Sequence, residues 1–336
     1  MAIKENRRIQ ILTIDGGGIR GIIPAVILAE IEARVNRPLW QVFDLIAGTS
    51  TGGIIAAAIG AGAKGGDAYR PGELVDLYVE NGPQIFQRRF LTPVLQLFGP
   101  KYSAKGLERV LQIFFGESLL SSAKTPLLIS SYDVDHQMPF FFKSQKTNDA
   151  AYNWKLREVA RATSAAPTYF PAIRLNNGRA AYTLVDGGVC VNNPSVAAFA
   201  EARRIYPDAN DILVVSVGTG DRNDGLTYRQ VRRWGLLGWG KHLAAVFMDS
   251  VSETSDYEMH YLLGAGRNYR LQPELVQASP DMDCVSKENL QALKDEASAF
   301  LAQDKIAARM NELCTQLLQP RPAQAAVGAG STGAEG

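Results

Sequence analysis

The sequence predicts an α/β fold in which a mainly parallel central sheet lies between two layers of helices. Three observations predict this three-layer fold. Short apolar runs end at glycine-rich turns, helical segments follow those turns, and the alternation recurs along the chain. The chain has 336 residues, of which 46% are hydrophobic, so it is large enough to bury the core that such a fold requires.

The first two strand-helix units are the clearest. Ile9 to Ile14 is an apolar run that stops at an aspartate and three glycines, and Ile22 to Val35 then carries apolar residues at helical spacing. Val42 to Ala47 is a second apolar run that stops at another glycine-bounded turn. Ile54 to Ile59 consists of small and aliphatic residues and predicts a buried helix.

Beyond residue 126 the alternation continues. Two helices are predicted, over Trp154 to Arg161 and over Pro194 to Ile205, where a proline suits the first helical position. Four strands are predicted, over Leu127 to Tyr132, Phe140 to Phe142, Tyr182 to Val185 and Ile212 to Val217.

We predict one domain over residues 1–318. The signal is weaker over residues 60–126, which we predict to be a cap or insertion over the sheet edge. Residues 319–336 are rich in Pro, Ala and Gly and lack periodicity, so we predict a disordered tail.

Composition excludes several classes of function. The 35 basic and 34 acidic residues leave a formal charge of +1, so no global field favours a nucleic-acid polymer as partner. Cys190, Cys284 and Cys314 are too few and too widely spaced for a disulfide framework or a zinc site. Met1 to Arg8 is polar, and glycines, prolines and charges interrupt every apolar stretch. We therefore expect a cytoplasmic protein without a metal, whose membrane contact is peripheral.

Residues 48 to 52 read Gly-Thr-Ser-Thr-Gly between a predicted strand and a predicted helix. Gly-x-Ser-x-Gly in that setting is a nucleophile elbow, in which a strained turn presents the serine hydroxyl. The glycines at Gly48 and Gly52 let the neighbouring backbone pass, and the following helix directs its amide end at the oxyanion. The alternative is an ordinary turn. The flanking strand and helix favour Ser50 as a nucleophile.

Residues 15 to 21 read Asp-Gly-Gly-Gly-Ile-Arg-Gly after the first strand, where successive backbone N–H groups can surround an anion. Gly16, Gly18 and Gly21 also satisfy Gly-x-Gly-x-x-Gly, so a dinucleotide-binding oxidoreductase is a competing interpretation. A dinucleotide-binding fold requires an acidic residue at the end of the next strand. In this chain the next predicted strand ends at the serine elbow instead. An oxyanion hole beside a nucleophile fits better.

Two kinds of residue are candidates for the base that activates Ser50. Asp186 follows a predicted strand, so it can meet the other two motifs at the carboxyl ends of parallel strands. An aspartate of ordinary pKa, about 3.9, is a weak base and needs burial, and its simplest alternative is a turn residue. His136, His242 and His260 are the chain's histidines. The order Ser50, Asp186, then His242 or His260 also suits a Ser-His-Asp triad.

Taken together, the motifs resemble the patatin-like phospholipase family. The resemblance covers roughly residues 9 to 272. It rests on Asp-Gly-Gly-Gly-x-Arg-Gly at 15–21, Gly-Thr-Ser-Thr-Gly at 48–52, Asp-Gly-Gly at 186–188, and the segments at 162–171 and 235–239.

The resemblance implies a three-layer patatin-like fold, related to α/β-hydrolases, and a Ser-Asp catalytic dyad without metal or cofactor. Ser50 then forms an acyl-enzyme and Asp186 acts as base. Arg20 orders the glycine loop or adds positive charge. The oxyanion hole is built from the backbone N–H groups of Gly16, Gly17 and Gly18.

Family substrates are acyl esters of lipids, usually phospholipids or galactolipids. Aromatic residues suit an acyl cleft and arginines suit lipid phosphate at a membrane, although core packing and a solvated charged face explain them equally well. Alternatives are a phospholipase effector activated by a small molecule such as a cyclic nucleotide, and a non-catalytic storage or lipid-binding role. The aromatic candidates are Phe86, Phe90, Phe98, Trp234 and Trp239, and the arginines are Arg229, Arg232 and Arg233.

Overall fold

A computed structural model describes residues 8–62, 65–87, 99–221, 225–264 and 266–319. Within these residues eight strands form one sheet, and helices flank it. The strands are β1 (Arg8–Ile14), β2 (Leu45–Thr49), β3 (Leu127–Asp133), β4 (Met138–Lys143), β5 (Ile173–Asn176), β6 (Ala181–Asp186), β7 (Asp211–Val217) and β8 (Asn268–Leu271). The helices are α1 (Ile22–Val35), α2 (Leu39–Val42), α3 (Thr51–Gly60), α4 (Pro71–Ile85), α5 (Ala104–Phe115), α6 (Leu156–Thr163), α7 (Ser195–Ile205), α8 (Tyr228–Val231), α9 (Leu236–Leu263), α10 (Lys287–Ala302) and α11 (Asp304–Leu318).

The sheet is mainly parallel, as predicted. Its order is β5-β6-β3-β2-β1-β7-β8, with β4 paired to β3, and the five strands from β3 to β8 in this order run parallel. β4, β5 and β6 pair antiparallel with their neighbours. The carboxyl ends of β1 and β2 therefore lie side by side, and the turns that follow them meet at one edge.

The three layers follow from the alternation of side chains along the strands. On β1, Ile9 and Ile11 belong to the apolar core that includes Ala198 of α7. Leu12 and Ile14 belong to the larger core on the other face, which includes residues of α1, α3 and α10. Successive strand residues point to opposite faces, so two cores enclose the sheet. The predicted three-layer architecture is confirmed. No helix in the described ranges is long and apolar enough to cross a membrane.

Two strand predictions need correction. Val42 does not begin β2, because it completes the short helix α2, whose last backbone bond runs from Phe43 N–H to the Leu39 carbonyl. β6 is antiparallel to β3, whereas the sequence analysis placed its aspartate at the end of a parallel strand. A four-residue turn joins β5 to β6, so these two strands pair antiparallel to each other, and β6 then pairs antiparallel with the second half of β3.

Smaller differences concern element ends and unpredicted elements. The helix predicted from Trp154 begins at Leu156, and Pro194 lies just before α7 rather than inside it. Within residues 60–126, α4 packs against α1 and α5 packs against α6. The predicted cap or insertion there stays a prediction. The predicted disordered tail lies outside the described residues from residue 320 onward.

Candidate active site

Ser50 occupies the turn between β2 and α3 with φ 54° and ψ −123°. Few residues with a side chain adopt a positive φ, so the surrounding structure must hold this strained turn. The backbone N–H of Ser50 donates to Thr163 Oγ1 at 2.8 Å, and its carbonyl accepts from Ile54 N–H at 3.1 Å. These two bonds fix the backbone, and the hydroxyl is thereby presented above the sheet.

The glycines of the elbow are required by close backbone packing. A Cβ at Gly52 would overlap the carbonyl oxygen of Ile14, because α3 passes directly over the end of β1. A Cβ at Gly48 would overlap the carbonyl oxygen of Gly52 in the same way. Both positions therefore exclude any side chain, and the turn can form only with glycine there.

Asp186 contacts the serine directly. Ser50 Oγ donates to Asp186 Oδ2 at 2.6 Å, and the backbone N–H of Gly188 donates to Oδ1 at 2.7 Å. Ser50 is 7% exposed and Asp186 is 3% exposed, so the pair lies away from bulk water. The carboxylate thus uses one oxygen for the hydroxyl and the other for its own loop.

The topology of β3 explains how an antiparallel strand reaches the serine. The first half of β3 pairs with β2, where Thr49 lies opposite Ser130. The second half pairs with β6, where Asp186 lies opposite Ser131. β2 and β6 run in opposite directions, and their last residues lie beside neighbouring residues of β3. Their next residues therefore meet end to end, without the shared edge of parallel strands that the sequence analysis assumed.

Burial raises the pKa of Asp186 to about 7, and the hydrogen bonds from Ser50 and Gly188 offset part of that effect. The Asp186 carboxyl is therefore a stronger base than an ordinary aspartate. The structure thereby meets the condition under which an aspartate can take a proton from a serine.

The histidines have other partners. His136 Nδ1 hydrogen-bonds with Asp133 at 2.6 Å, and His242 stacks on Trp234 with ring centroids 4.7 Å apart. His260 packs edge to face on Tyr261. Within the described residues no histidine hydrogen-bonds Ser50 or Asp186. The arrangement therefore gives no support to a Ser-His-Asp triad.

The glycine loop after β1 presents two backbone donors. Gly16 N–H donates to the Asn192 carbonyl at 3.2 Å, so this group already has an acceptor, and its role toward an oxyanion stays a prediction. Among the described residues no acceptor bonds the N–H of Gly17 or Gly18. Gly18 has φ 60° and lines the cleft beside Ser50. Two unengaged donors thus remain near the serine.

Arg20 ties this loop together. Its Nε donates to the Gly17 carbonyl at 3.4 Å, and its Nη1 donates to the Gly220 carbonyl at 3.1 Å. At the start of the loop, Arg270 donates to Asp15 Oδ2 at 2.6 Å in a buried ion pair. Both ends of the loop are therefore fixed, and loop ordering, one of the two expectations for Arg20, agrees with these contacts.

An apolar cleft opens beside Ser50. Phe86 lines it, as the sequence analysis expected. Trp234 and Trp239 lie elsewhere, packed edge to face on each other at the start of α9, and Phe90 and Phe98 lie outside the described residues. The other apolar and aromatic lining residues are Ile54, Tyr78, Ile85, Leu107, Ala166, Tyr169, Phe170 and Met282, and Thr51 and Ser164 also line the cleft.

Three residues that support the site were not predicted from the sequence. Thr163 accepts the Ser50 N–H, and it lies in the 162–171 segment that was recognised only as part of the resemblance. Asn192 accepts from the glycine loop, and Arg270 pairs with Asp15. Asn192 and Arg270 are single polar residues without a local motif, so the sequence carries no signal for them.

The fold and the elbow define an α/β protein of the hydrolase type. A family model described as patatin-like phospholipase matches residues 12–199. The chain is 32% identical to "Patatin-like protein 2" of Arabidopsis thaliana, over 92% of this chain and 86% of the relative. It is 32% identical to "Patatin-17" of Solanum cardiophyllum, over 85% and 81% respectively.

The chain therefore belongs to the patatin-like phospholipase family, a family of lipid acyl hydrolases. This membership replaces the dinucleotide-binding interpretation of the glycine loop. Among solved structures, VipD from Legionella pneumophila aligns with a TM-score of 0.37 at 11% identity, covering 88% of this chain and 67% of VipD.

Proposed function

We propose that this chain hydrolyses acyl esters of lipids with Ser50 as nucleophile and Asp186 as its base. The observation that carries the proposal is the 2.6 Å hydrogen bond from Ser50 Oγ to Asp186 Oδ2 between two buried groups. A base must lie within hydrogen-bond reach of the proton that it removes and have a pKa near the working pH. The pKa of Asp186, raised to about 7 by burial, supports that role.

The reaction has two halves. Ser50 Oγ attacks the acyl carbon, and its proton passes to Asp186 as the new C–O bond forms. The bond to the leaving alcohol then breaks, and Asp186 returns the proton to that alcohol. A water molecule next gives its proton to Asp186 and attacks the acyl-enzyme. The bond between the acyl carbon and Ser50 Oγ then breaks, Asp186 returns its proton to Ser50 Oγ, and the fatty acid is released.

The negative oxygen of each tetrahedral intermediate needs donors that are already in place. Gly17 and Gly18 are the proposed donors, because their N–H groups have no acceptor within the described residues and Gly18 lines the cleft beside Ser50. The N-terminus of α3 follows Ser50 directly and adds its partial positive charge. Arg20 acts as a positioning residue through the loop carbonyls that it binds.

The acyl chain is proposed to occupy the apolar cleft, because the cleft opens beside Ser50 and its lining is mainly apolar and aromatic. This scheme uses no metal and no cofactor. Cys190, Cys284 and Cys314 are unpaired, which supports a reducing compartment such as the cytoplasm. Phospholipid membranes are then the proposed source of the substrate.

The test compares fatty-acid release from a phospholipid and p-nitrophenol release from a short p-nitrophenyl ester. Ser50→Ala and Asp186→Asn are expected to lose activity by about a thousandfold or more on both substrates. A variant with alanine at all three histidines is expected to stay within about twofold of wild type. Asp133→Asn serves as a control, since it changes another buried aspartate at the end of β3.

Two results would contradict the proposal. A folded histidine variant without activity would identify a triad with a histidine base. An Asp186→Asn variant as active as wild type would remove the carboxylate from the mechanism. Circular dichroism of each variant separates loss of chemistry from loss of fold.

A further inference from the structure

The segment from residue 226 to residue 248 is both basic and apolar. It comprises α8, the turn after it and the first half of α9. We call it the basic apolar segment. It contains Arg229, Arg232, Arg233 and Lys241 but no aspartate or glutamate. In a chain with formal charge +1, this concentration of positive charge is a local feature.

Three apolar side chains on the first half of α9 face solvent. Trp239, Leu243 and Phe247 follow one another at four-residue spacing on α9, so they lie on one face of the helix. Their exposed fractions are 36%, 41% and 58%. The buried side of the helix is marked by Ser252 and Met259. The exposed row therefore belongs to the surface rather than to the core.

The arginines of the segment are also free to meet a partner. Arg229, Arg232 and Arg233 are exposed, and within the described residues no carboxylate forms an ion pair with them. Arg232 lies over the ring of Tyr228, with its guanidinium carbon 5.9 Å from the centroid. The segment thus presents uncompensated cations beside exposed apolar and aromatic side chains.

The helix also touches the candidate active site. Met248 Cε lies 3.0 Å from the position that a Cβ would take at Gly188, two residues after Asp186. One turn further on, Ser252 Oγ accepts from Asn192 Nδ2 at 2.8 Å. The exposed row therefore ends one residue before the helix contacts the loop that carries the proposed base.

We propose that the basic apolar segment docks the protein on an anionic phospholipid surface. Helices that lie in a membrane interface combine apolar and tryptophan side chains on one face with flanking basic residues, as this segment does. A purely apolar row would suit a protein partner equally well. The three exposed arginines, in a segment that contains no acidic residue, favour a surface that is itself negative, and a bilayer with anionic headgroups is such a surface.

This inference rests on the proposed function in one respect: the lipid surface is taken to be the source of the substrate. The docked segment holds α9 at the bilayer, and the contacts of α9 with Gly188 and Asn192 hold the active-site loop close to the same surface. Lipid docking is therefore expected to raise activity on vesicles without changing activity on a soluble ester.

The binding test uses Ser50→Ala protein, so that hydrolysis does not consume the vesicles. Flotation is measured with phosphatidylcholine vesicles, with and without phosphatidylglycerol. We expect binding that requires phosphatidylglycerol and weakens as salt is added, because salt screens exposed charges. Combined Arg229→Gln, Arg232→Gln and Arg233→Gln should weaken vesicle binding about a hundredfold, since each basic residue near an anionic surface contributes about fivefold.

The apolar row has a matched control on the same helix. Leu243→Ser with Phe247→Ser should weaken vesicle binding by about tenfold or more, because two apolar side chains no longer enter the interface. Tyr257 and Tyr261 are 65% and 72% exposed but lie beside Asp256 and Glu258. Changing both tyrosines to serine should leave vesicle binding within about twofold of the parent.

Three results would overturn the inference. The first is equal binding to neutral and anionic vesicles. The second is a loss of vesicle binding in the tyrosine control as large as that in Leu243→Ser/Phe247→Ser. The third is unchanged vesicle binding in Leu243→Ser/Phe247→Ser protein that has lost self-association on gel filtration. The last would identify the row as a contact between copies of the chain. Failure of the proposed function would give a different result. Wild-type protein would not cleave the soluble ester, while Ser50→Ala protein would still bind anionic vesicles in the expected pattern.

Discussion

Replacing Asp186 by asparagine is expected to stabilise the protein while removing its activity. Asp186 is 3% exposed, and it receives hydrogen bonds from Ser50 and from the backbone of Gly188. Burial opposes ionisation of the carboxyl and raises its pKa to about 7. Asparagine has a similar shape and carries no charge, so it removes the cost of ionising this buried position.

The size of the effect follows from linkage. The pKa of Asp186 rises from 3.8 to about 7 on folding, and a pKa difference of about three corresponds to roughly 4 kcal/mol. Because the folded-state pKa is raised, the stability contribution of the neutral carboxyl is fully present below about pH 4 and is lost as the pH rises to about 7. The Asp186→Asn variant has no such loss.

The assay is urea unfolding of wild type and variant at about pH 5 and about pH 8. Between these values the variant should gain about 3 kcal/mol in unfolding free energy relative to wild type. Wild type at about pH 5 serves as the internal reference, since half or more of the ionisation cost of Asp186 is absent there. An equal stability difference at both pH values, or a variant less stable than wild type at about pH 8, would refute the reasoning.

Three further predictions concern the same site. The kcat/KM of wild type on a soluble ester should rise about tenfold per pH unit below about pH 7 and level off above that pH, because deprotonated Asp186 is the active form. A flat pH profile would exclude Asp186 as the base. Thr163→Val removes the acceptor of the Ser50 N–H and should lower kcat about tenfold or more with little change in KM; equal activity would mean that the bond does not position the serine. Gly52→Ala should lower the free energy of unfolding, measured with urea, by about 3 kcal/mol or more, because its Cβ would overlap a carbonyl oxygen of β1. Gly72→Ala is the control. Open space surrounds that position, so the substitution should change stability little.

The parts of the fold that could be predicted from sequence are those with local signals. β1 and α1 are recognisable because an apolar run, a glycine turn and a helical repeat follow one another within a few residues. The direction of β6 has no such signal. It depends on pairing with β3, whose residues lie about fifty positions earlier, whereas the local turn at Asn177-Gly178 determines only that β5 and β6 are antiparallel to each other. Such long-range pairing is not encoded in a short window of sequence.

The same distinction applies to the site. Ser50 and Asp186 stand in glycine motifs whose spacing can be recognised, and the 2.6 Å contact between them joins residues 136 positions apart. Thr163 and Asn192 act through single hydrogen bonds to the elbow and to the glycine loop. The bond from Gly16 to Asn192 therefore cannot be anticipated from the glycine motif, because the acceptor comes from a distant loop that folds against it.

The contacts around Ser50 and Asp186 indicate that the site is held by its surroundings rather than by local preference. The positive φ of Ser50 and the buried carboxylate of Asp186 both cost stability, and neither arrangement would persist in an isolated turn. Thr163 secures the serine backbone, Gly188 satisfies the second carboxylate oxygen, and α9 packs over Gly188. The burial that lowers stability also raises the pKa of the carboxyl, so a mutation that relieves the cost at Asp186 removes the base at the same time.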